Sequence, residues 1–281
     1  MRDRAKLRAF RERYGPAAIV TGAAQGIGRA FADSLASRGL RVFMLDVQAE
    51  AVEQAAFEVT SLHGVPALPI AVDLSRRDFL SDVLIAVDTA ERGVGECEIG
   101  LVICNAAIGL EGPFLSETLD DLHRAVDVNC QAALTLTHHF GKGMVERGRG
   151  GLILIASATA LQGSPNYVNY AATKAFNLVL GESLWYELKG RGVDVLSFVP
   201  GPTNTPGMRK SVPGLEKGVE IGPIRLPSAT AECAIEALGR RASAARQRDH
   251  ANRLAARRRA ADSIVERQER SRAQRRDDRG D

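Results

Sequence analysis

No stretch of this 281-residue chain approaches the ~20 consecutive apolar residues of a membrane-spanning helix, so no transmembrane segment is expected. Cysteine is scarce. Cys97, Cys104, Cys130 and Cys233 show no Cys-x-x-Cys spacing and read as small core or surface residues of a protein in a reducing cytoplasm. The histidines, His63, His123, His138, His139 and His250, form no His-x-x-x-His pattern, and no metal is expected. There is no internal repeat. The first eight residues, Met1-Arg2-Asp3-Arg4-Ala5-Lys6-Leu7-Arg8, are basic without an apolar core, which argues against a secretory signal and for a short surface helix leading to Tyr14-Gly15-Pro16.

What is present describes an ordinary globular chain, 45% hydrophobic and 25% charged. The length suits one α/β domain with a tail. Strand-like and helix-like segments alternate through residue 200, which predicts a parallel sheet covered on both faces, a Rossmann-type doubly wound α/β/α arrangement.

The first motif lies near the amino terminus. Ala17-Ala18-Ile19-Val20 has strand character, and Thr21-Gly22-Ala23-Ala24-Gln25-Gly26-Ile27-Gly28 follows at once, ahead of a helix-spaced segment ending at Gly39. A strand, a glycine-rich turn and a helix make the setting for a dinucleotide, whose pyrophosphate meets free N–H groups at the helix start. The spacing is Gly-x-x-x-Gly-x-Gly. The next strand, Leu40 to Leu45, ends in Asp46, eighteen positions beyond Gly28. An acid there accepts hydrogen bonds from both adenosine ribose hydroxyls and repels a 2′-phosphate, so NAD is expected in preference to NADP.

The second motif is Tyr170-Ala171-Ala172-Thr173-Lys174. Four residues apart on a helix, the phenol and the ammonium share a face. The ammonium is expected to favour the phenolate and lower the Tyr170 pKa, so that the phenol exchanges a proton with an alcohol or ketone oxygen near neutral pH. A Tyr-x-x-x-Lys pair alone is weak evidence, and its company makes it strong.

With these residues together, roughly residues 14–239 resemble the short-chain dehydrogenase/reductase family. Thr21 to Gly28 is similar to that family's nucleotide loop, which implies cofactor contacts at Gly22, Gln25, Gly26, Ile27 and Gly28. Asp73-Leu74 matches its adenine-contacting pair. Asn105-Ala106-Ala107 resembles its Asn-Ala-Gly at the end of the fourth strand, with Ala107 in place of glycine. Pro200-Gly201-Pro202-Thr203-Asn204-Thr205 resembles its Pro-Gly loop and adds Thr203 and Thr205 on the cofactor side. Ser157, thirteen positions before Tyr170, keeps the family spacing, and Asn129 stands where the family's helix asparagine stands. The resemblance implies an oxidoreductase in which Tyr170 is general acid or base, while Lys174 tunes it and holds the nicotinamide ribose. Ser157 donates to the substrate oxygen, and Asn129 fixes a water linking Lys174 to solvent.

Two regions depart from the family plan. Residues 206–227 carry four prolines and four glycines with Met208, Val212, Leu215, Val219 and Ile221 interspersed. They suit a mobile loop over the site and an apolar substrate, hydroxysteroid-like or 3-oxoacyl-like. Residues 240–281 hold 14 Arg, no Lys and 7 acids, a charge of +7; set against the whole chain's +3, this leaves −4 on the preceding residues. Nothing after Leu238 reads as the family's last strand. The expected domains are therefore a lead-in (1–15), a catalytic domain (16–239) with its substrate loop (206–227), and an arginine-rich tail (240–281), disordered or helical. The tail is read as solvated, or as the product of a shifted reading frame.

The leading expectation is an NAD-dependent alcohol dehydrogenase or carbonyl reductase in the cytoplasm. A nucleotide-binding protein without turnover would bind cofactor yet oxidise no alcohol. A nucleic-acid-binding protein acting through the tail would show salt-sensitive binding that vanishes with residues 240–281. A homodimer is expected through the long helices around 111–140 and 157–188. Leu134, Leu136, Phe176, Leu180, Leu184 and Trp185 are expected to serve as its apolar contacts, and a tetramer is disfavoured for want of the last strand.

Overall fold

A computed structural model describes residues 4–95, 97–211 and 224–245, and every structural statement below concerns those residues. Seven strands form one sheet: β1 (Ala17–Thr21), β2 (Arg41–Asp46), β3 (Ala67–Ala71), β4 (Ile99–Cys104), β5 (Gly150–Ile155), β6 (Val193–Val199) and β7 (Ser243–Ala245). Their order is β3-β2-β1-β4-β5-β6-β7, and every pairing is parallel. The sequence alternation predicted this doubly wound sheet.

The central strands are buried throughout, so they read as continuous apolar runs rather than alternating ones. Their side chains still divide by parity. Ala18, Val20, Leu101, Ile103, Ile153 and Ile155 face one core, against α2 (Gly26–Ala36), α3 (Ala49–His63) and α9 (Pro227–Ala237). Ile19, Val102, Cys104, Leu152 and Leu154 face the other, against α4 (Phe79–Val94), α6 (Ala132–Arg147) and α7 (Val168–Leu188).

The lead-in is helix α1 (Arg4–Tyr14). Arg13 grips both carboxylate oxygens of Asp194 at 2.9 Å, and the Tyr14 hydroxyl donates to the same carboxylate at 2.9 Å. The helix is thereby tied to the start of β6.

Strand order reverses between β1 and β4, and the carboxyl ends of these strands open the crevice where doubly wound sheets take ligands. Two long helices reach it from the second face. One is α5 (Leu119–Val126), which runs through a π turn (Asp127–Gln131) into α6; the other is α7.

One expectation is corrected. A strand does follow Leu238: β7 pairs with β6 in the register Ser197↔Ser243, Phe198↔Ala244, Val199↔Ala245. Its three small residues are too few to show alternation. They are recruited by the open edge of β6, whose Ser197 N–H donates to the Ala242 carbonyl at 2.9 Å. The sheet therefore extends past the boundary expected at 239. The tail expected to be disordered or helical over 240–281 is thus corrected for residues 240–245, which form a turn and this strand, and its remainder from 246 lies outside the described residues.

The expected substrate loop begins as helix α8 (Pro206–Ser211) and returns at Ile224. Its base is closed by Asn204 N–H to Arg225 O at 2.8 Å and Arg225 N–H to Pro202 O at 3.0 Å. Of its expected apolar residues, Val212, Leu215, Val219 and Ile221 lie outside the described residues.

Candidate active site

The floor of the crevice is the turn between β1 and α2. Gln25 caps α2 without a side-chain bond, so the first-turn N–H groups have no intrahelical partner. Gly26 and Ile27 line the crevice, while Gly28 is buried behind them against the Gly22–Asn105 turn. Thr21, which the motif reading left without a role, pins this turn to β4: its hydroxyl accepts from the N–H of Asn105 at 2.9 Å and of Ala106 at 3.0 Å. The Asn105 amide donates back to the Thr21 and Gly22 carbonyls at 2.9 and 3.3 Å. Asn105 thus holds the turn's shape. Gly22 sits at φ +64°, where an added Cβ would meet the Ala106 Cα at 2.9 Å, so glycine is required on both counts.

A cleft of about 320 Å³ follows, lined by Gly22, Gln25, Gly26, Ile27, Asp46, Asp73, Leu74, Asn105, Ala106, Ala107 and Thr205, as the motifs predicted, and also by Val47, Gln48, Ile108, Arg124 and Val128. Asp46 is buried, and its carboxylate accepts from Ala24 N–H at 3.0 Å and Gln48 N–H at 3.1 Å. Asp73 holds its own turn through Ser75, whose hydroxyl and N–H bonds keep the Asp73 pKa below the usual carboxylate value; Arg124 stands 3.4 Å away. Thr203 is not among the cleft residues. Its hydroxyl is buried against Thr230 at 3.1 Å and donates to Gly201 O, which fastens the Pro-Gly loop to α9.

The donor set fits a dinucleotide: unused helix-start N–H groups for a pyrophosphate, a carboxylate at the end of β2 for ribose hydroxyls, and glycines where backbone must come close.

Ser157 follows the end of β5, and Tyr170 lies in the first turns of α7. Ser157 stands beside the Tyr170 phenol, where its hydroxyl acts to pull the phenol pKa down, but burial outweighs this and leaves the pKa raised. Lys174 is 2% exposed and donates to the Ile155 carbonyl at 2.9 Å, with its Nζ 5.7 Å from the Tyr170 ring centroid. Burial lowers its pKa to about 8. The expectation that Lys174 lowers the Tyr170 pKa is therefore corrected for this state of the protein. The ammonium is aimed at a backbone carbonyl beneath the ring, and desolvation dominates both groups.

Asn129 lies in the π turn and is 1% exposed. Its amide oxygen accepts from Ile108 N–H at 2.8 Å, and its amide nitrogen donates to Ile108 O at 3.0 Å and to Thr173 Oγ1 at 2.9 Å. It clamps the Ala107–Ile108 cleft wall to α7. Thr173, between Tyr170 and Lys174, is the partner that the spacing alone did not reveal. At the rim, Gly112 N–H donates to Asn166 O at 2.9 Å, and Tyr167 packs 6.5 Å from Tyr170.

Comparison with known proteins now identifies the class. The profile of the short chain dehydrogenase family matches residues 16–215, and the chain belongs to that family. It is an NAD(P)-dependent oxidoreductase by membership. It is 30% identical over 236 residues to the 7beta-hydroxysteroid dehydrogenase of Collinsella aerofaciens, covering 83% of this chain and 87% of that protein. It is 31% identical over 230 residues to the very-long-chain 3-oxoacyl-CoA reductase of Anas platyrhynchos, covering 78% and 72%. A solved 7beta-hydroxysteroid dehydrogenase superposes with a TM-score of 0.77 at 27% identity, over 87% of this chain and 92% of that one. Solved proteins of this fold include complexes with NADPH, so the fold alone leaves the choice between the two nicotinamide cofactors to this chain's own residues. No helix among the described residues is long and apolar enough to cross a membrane.

Proposed function

We propose that this protein interconverts a secondary alcohol and a ketone with NAD, on an apolar substrate of hydroxysteroid or 3-oxoacyl type. The observation that carries the reading is Tyr170 set beside Ser157, with Lys174 buried behind the phenol ring and held by the Ile155 carbonyl, next to the crevice of the sheet. Gly26 and Ile27 would hold the pyrophosphate with Gly28 behind them, Asp46 the adenosine ribose and Lys174 the nicotinamide ribose. The bound dinucleotide supplies the hydride chemistry. In oxidation Tyr170 takes the alcohol O–H proton while the Cα–H bond breaks; in reduction it returns a proton to the carbonyl oxygen. Ser157 donates to that oxygen and steadies the charge that develops on it. The substrates named for the relatives support such a substrate class.

The test is a panel of secondary alcohols and ketones, steroidal and acyl, assayed with NAD(H) and NADP(H). Turnover of none of them while cofactor still binds would overturn the reading. NAD preference rests on Asp46, which is buried at the cleft and already oriented by two N–H groups. A 2′-phosphate would meet this carboxylate at close range. Asp46→Ala is expected to lower kcat/KM with NAD and raise it with NADP, moving the ratio by about tenfold or more, the equivalent of ~1.4 kcal/mol. A parent protein that already favours NADP would refute the assignment.

We further propose a homodimer through α6 and α7. The expected contact set changes with the structure. Leu136 is fully buried and Leu180, Leu184 and Trp185 pack on the domain's own core, because they fall on the inward faces of these helices. Leu134 and Phe176 stay exposed, together with Val126 and Val179. With β7 present, the argument against a tetramer no longer holds. Sedimentation is expected to show at least a dimer, which Phe176→Asp with Val179→Asp should convert to monomer; a monomeric parent would refute this surface.

A further inference from the structure

Asn177 lies one turn beyond Lys174 on α7, outside every motif identified above. It is 2% exposed. Its amide nitrogen donates to the Asn129 carbonyl at 2.9 Å. That bond sets the orientation of the amide, since the flipped form would bring two oxygens together. The amide oxygen is left buried without a protein partner. A buried acceptor in that condition is destabilising, and an ordered water is the usual way it is satisfied.

Lys174 supplies the complement. It too is 2% exposed, it carries three N–H donors, and one of them goes to the Ile155 carbonyl. Three residues apart on one helix, Lys174 and Asn177 share a face. They also converge on the same neighbour: Asn177 binds the carbonyl of residue 129, and the Lys174 charge acts on the thiol of Cys130 next to it. The family resemblance assigns a solvent-linking water to Asn129. In this chain both amide hydrogens of the Asn129 side chain are committed, its Oδ1 accepts from Ile108 N–H, and its backbone carbonyl accepts the Asn177 amide.

We propose that Asn177 is a positioning residue for Lys174, its Oδ1 holding a buried water that accepts from Lys174 Nζ and carries protons between Lys174 and solvent. In alcohol oxidation the proton taken up at Tyr170 leaves by this route. As Lys174 gives one N–H proton to the water, another arrives at Nζ, so the ammonium is regenerated and no net charge accumulates. In ketone reduction the same transfers run backward. The proposal rests on the reading of Tyr170 and Lys174 as the proton-transfer pair.

The test uses the full chain with Asn177→Leu and Asn177→Asp, measuring kcat, KM and NADH affinity across pH. Asn177→Leu keeps the branching at Cγ and removes both amide functions. It is expected to lower kcat about tenfold, less than losing the acid–base group itself, with KM and NADH affinity unchanged. Its pH limb near 8 should move down, because the ammonium loses the water that solvates it. Asn177→Asp keeps the acceptor, gives up the donor to the Asn129 carbonyl and adds a negative charge, so the limb should move up, the opposite direction to the leucine variant. A purely structural residue would lower thermal stability in both variants and leave both pH profiles in place; that result overturns the proposal. If the leucine variant fails to fold, the direction of the aspartate variant's limb decides alone. Tyr170→Phe is assayed in parallel. Normal turnover there would defeat the underlying reading, whereas an inactive Tyr170→Phe with unmoved Asn177 profiles would defeat this proposal only.

Discussion

Tyr170→Phe is expected to lower kcat on the order of 10²-fold or more in either direction, the usual scale for losing a general acid or base. The substitution removes one hydroxyl. Among the described residues, none of the bonds that fasten the cleft walls depends on that hydroxyl, which stands beside Ser157, so folding and NADH affinity should stay near the parent values. The pH dependence adds a sign. Burial raises the Tyr170 pKa above 10, so the phenol that ketone reduction needs is present throughout the neutral range. The phenolate that alcohol oxidation needs is scarce there, and oxidation should rise as pH rises. Lys174 titrates lower than an ordinary lysine, at about 8, and loses its proton as pH passes that value. Reduction should therefore decline above about pH 8, where proton resupply fails. Both limbs should vanish in the residual activity of Tyr170→Phe. Near-parent turnover by the purified, folded variant would remove Tyr170 from the mechanism.

The sheet and the site differ in how far they could be read from sequence. Apolar runs such as Leu152 to Ala156, each followed by a helix-spaced segment, made the parallel sheet legible, because strands covered on both faces need no polar side. The same logic failed at Ser243-Ala244-Ala245. There the strand is made by the exposed edge of β6, and its own residues carry no pattern. The cleft residues were legible as motifs because each sits at a fixed offset from a strand end. Their partners were not. Thr21, Thr173 and Asn177 act through side-chain bonds to elements distant in sequence, 84 positions in the case of Thr21 and Asn105 and 44 for Asn129 and Thr173, and spacing is silent on such bonds. Thr203 is the converse. It carried a family match, yet packing against Thr230 turns its hydroxyl away from the cleft. The direction of the Tyr170 shift was also out of reach, since it depends on burial and on where the Lys174 ammonium points.

Gly28→Ala is expected to weaken NADH binding by about tenfold or more, ~1.4 kcal/mol per decade, and to lower thermal stability, although helix propensity alone says the opposite. In a helix interior alanine is favoured over glycine by ~0.5–1 kcal/mol. Gly28 is the third residue of α2, and there the tertiary environment reverses the sign. An added Cβ would clash with the Gly22 carbonyl oxygen and lie 2.7 Å from the Asn105 amide nitrogen. The first of these is backbone and cannot rotate away. The turn would have to lift off α2, breaking the Asn105 bonds to the Thr21 and Gly22 carbonyls. Overpacking of this kind costs ~1–3 kcal/mol, which exceeds the propensity gain. The same displacement moves the helix-start N–H groups that would hold the pyrophosphate, so binding and stability should fall together. Gly93, near the end of α4, provides the internal control, because an added Cβ there meets nothing within 4 Å. Gly93→Ala should stabilise the fold by ~0.5–1 kcal/mol and leave NADH affinity unchanged. Thermal melts and NADH fluorescence titrations of the two variants therefore test opposite signs for one chemical change. Parent-like stability and affinity in Gly28→Ala would mean that the turn does not close against the helix.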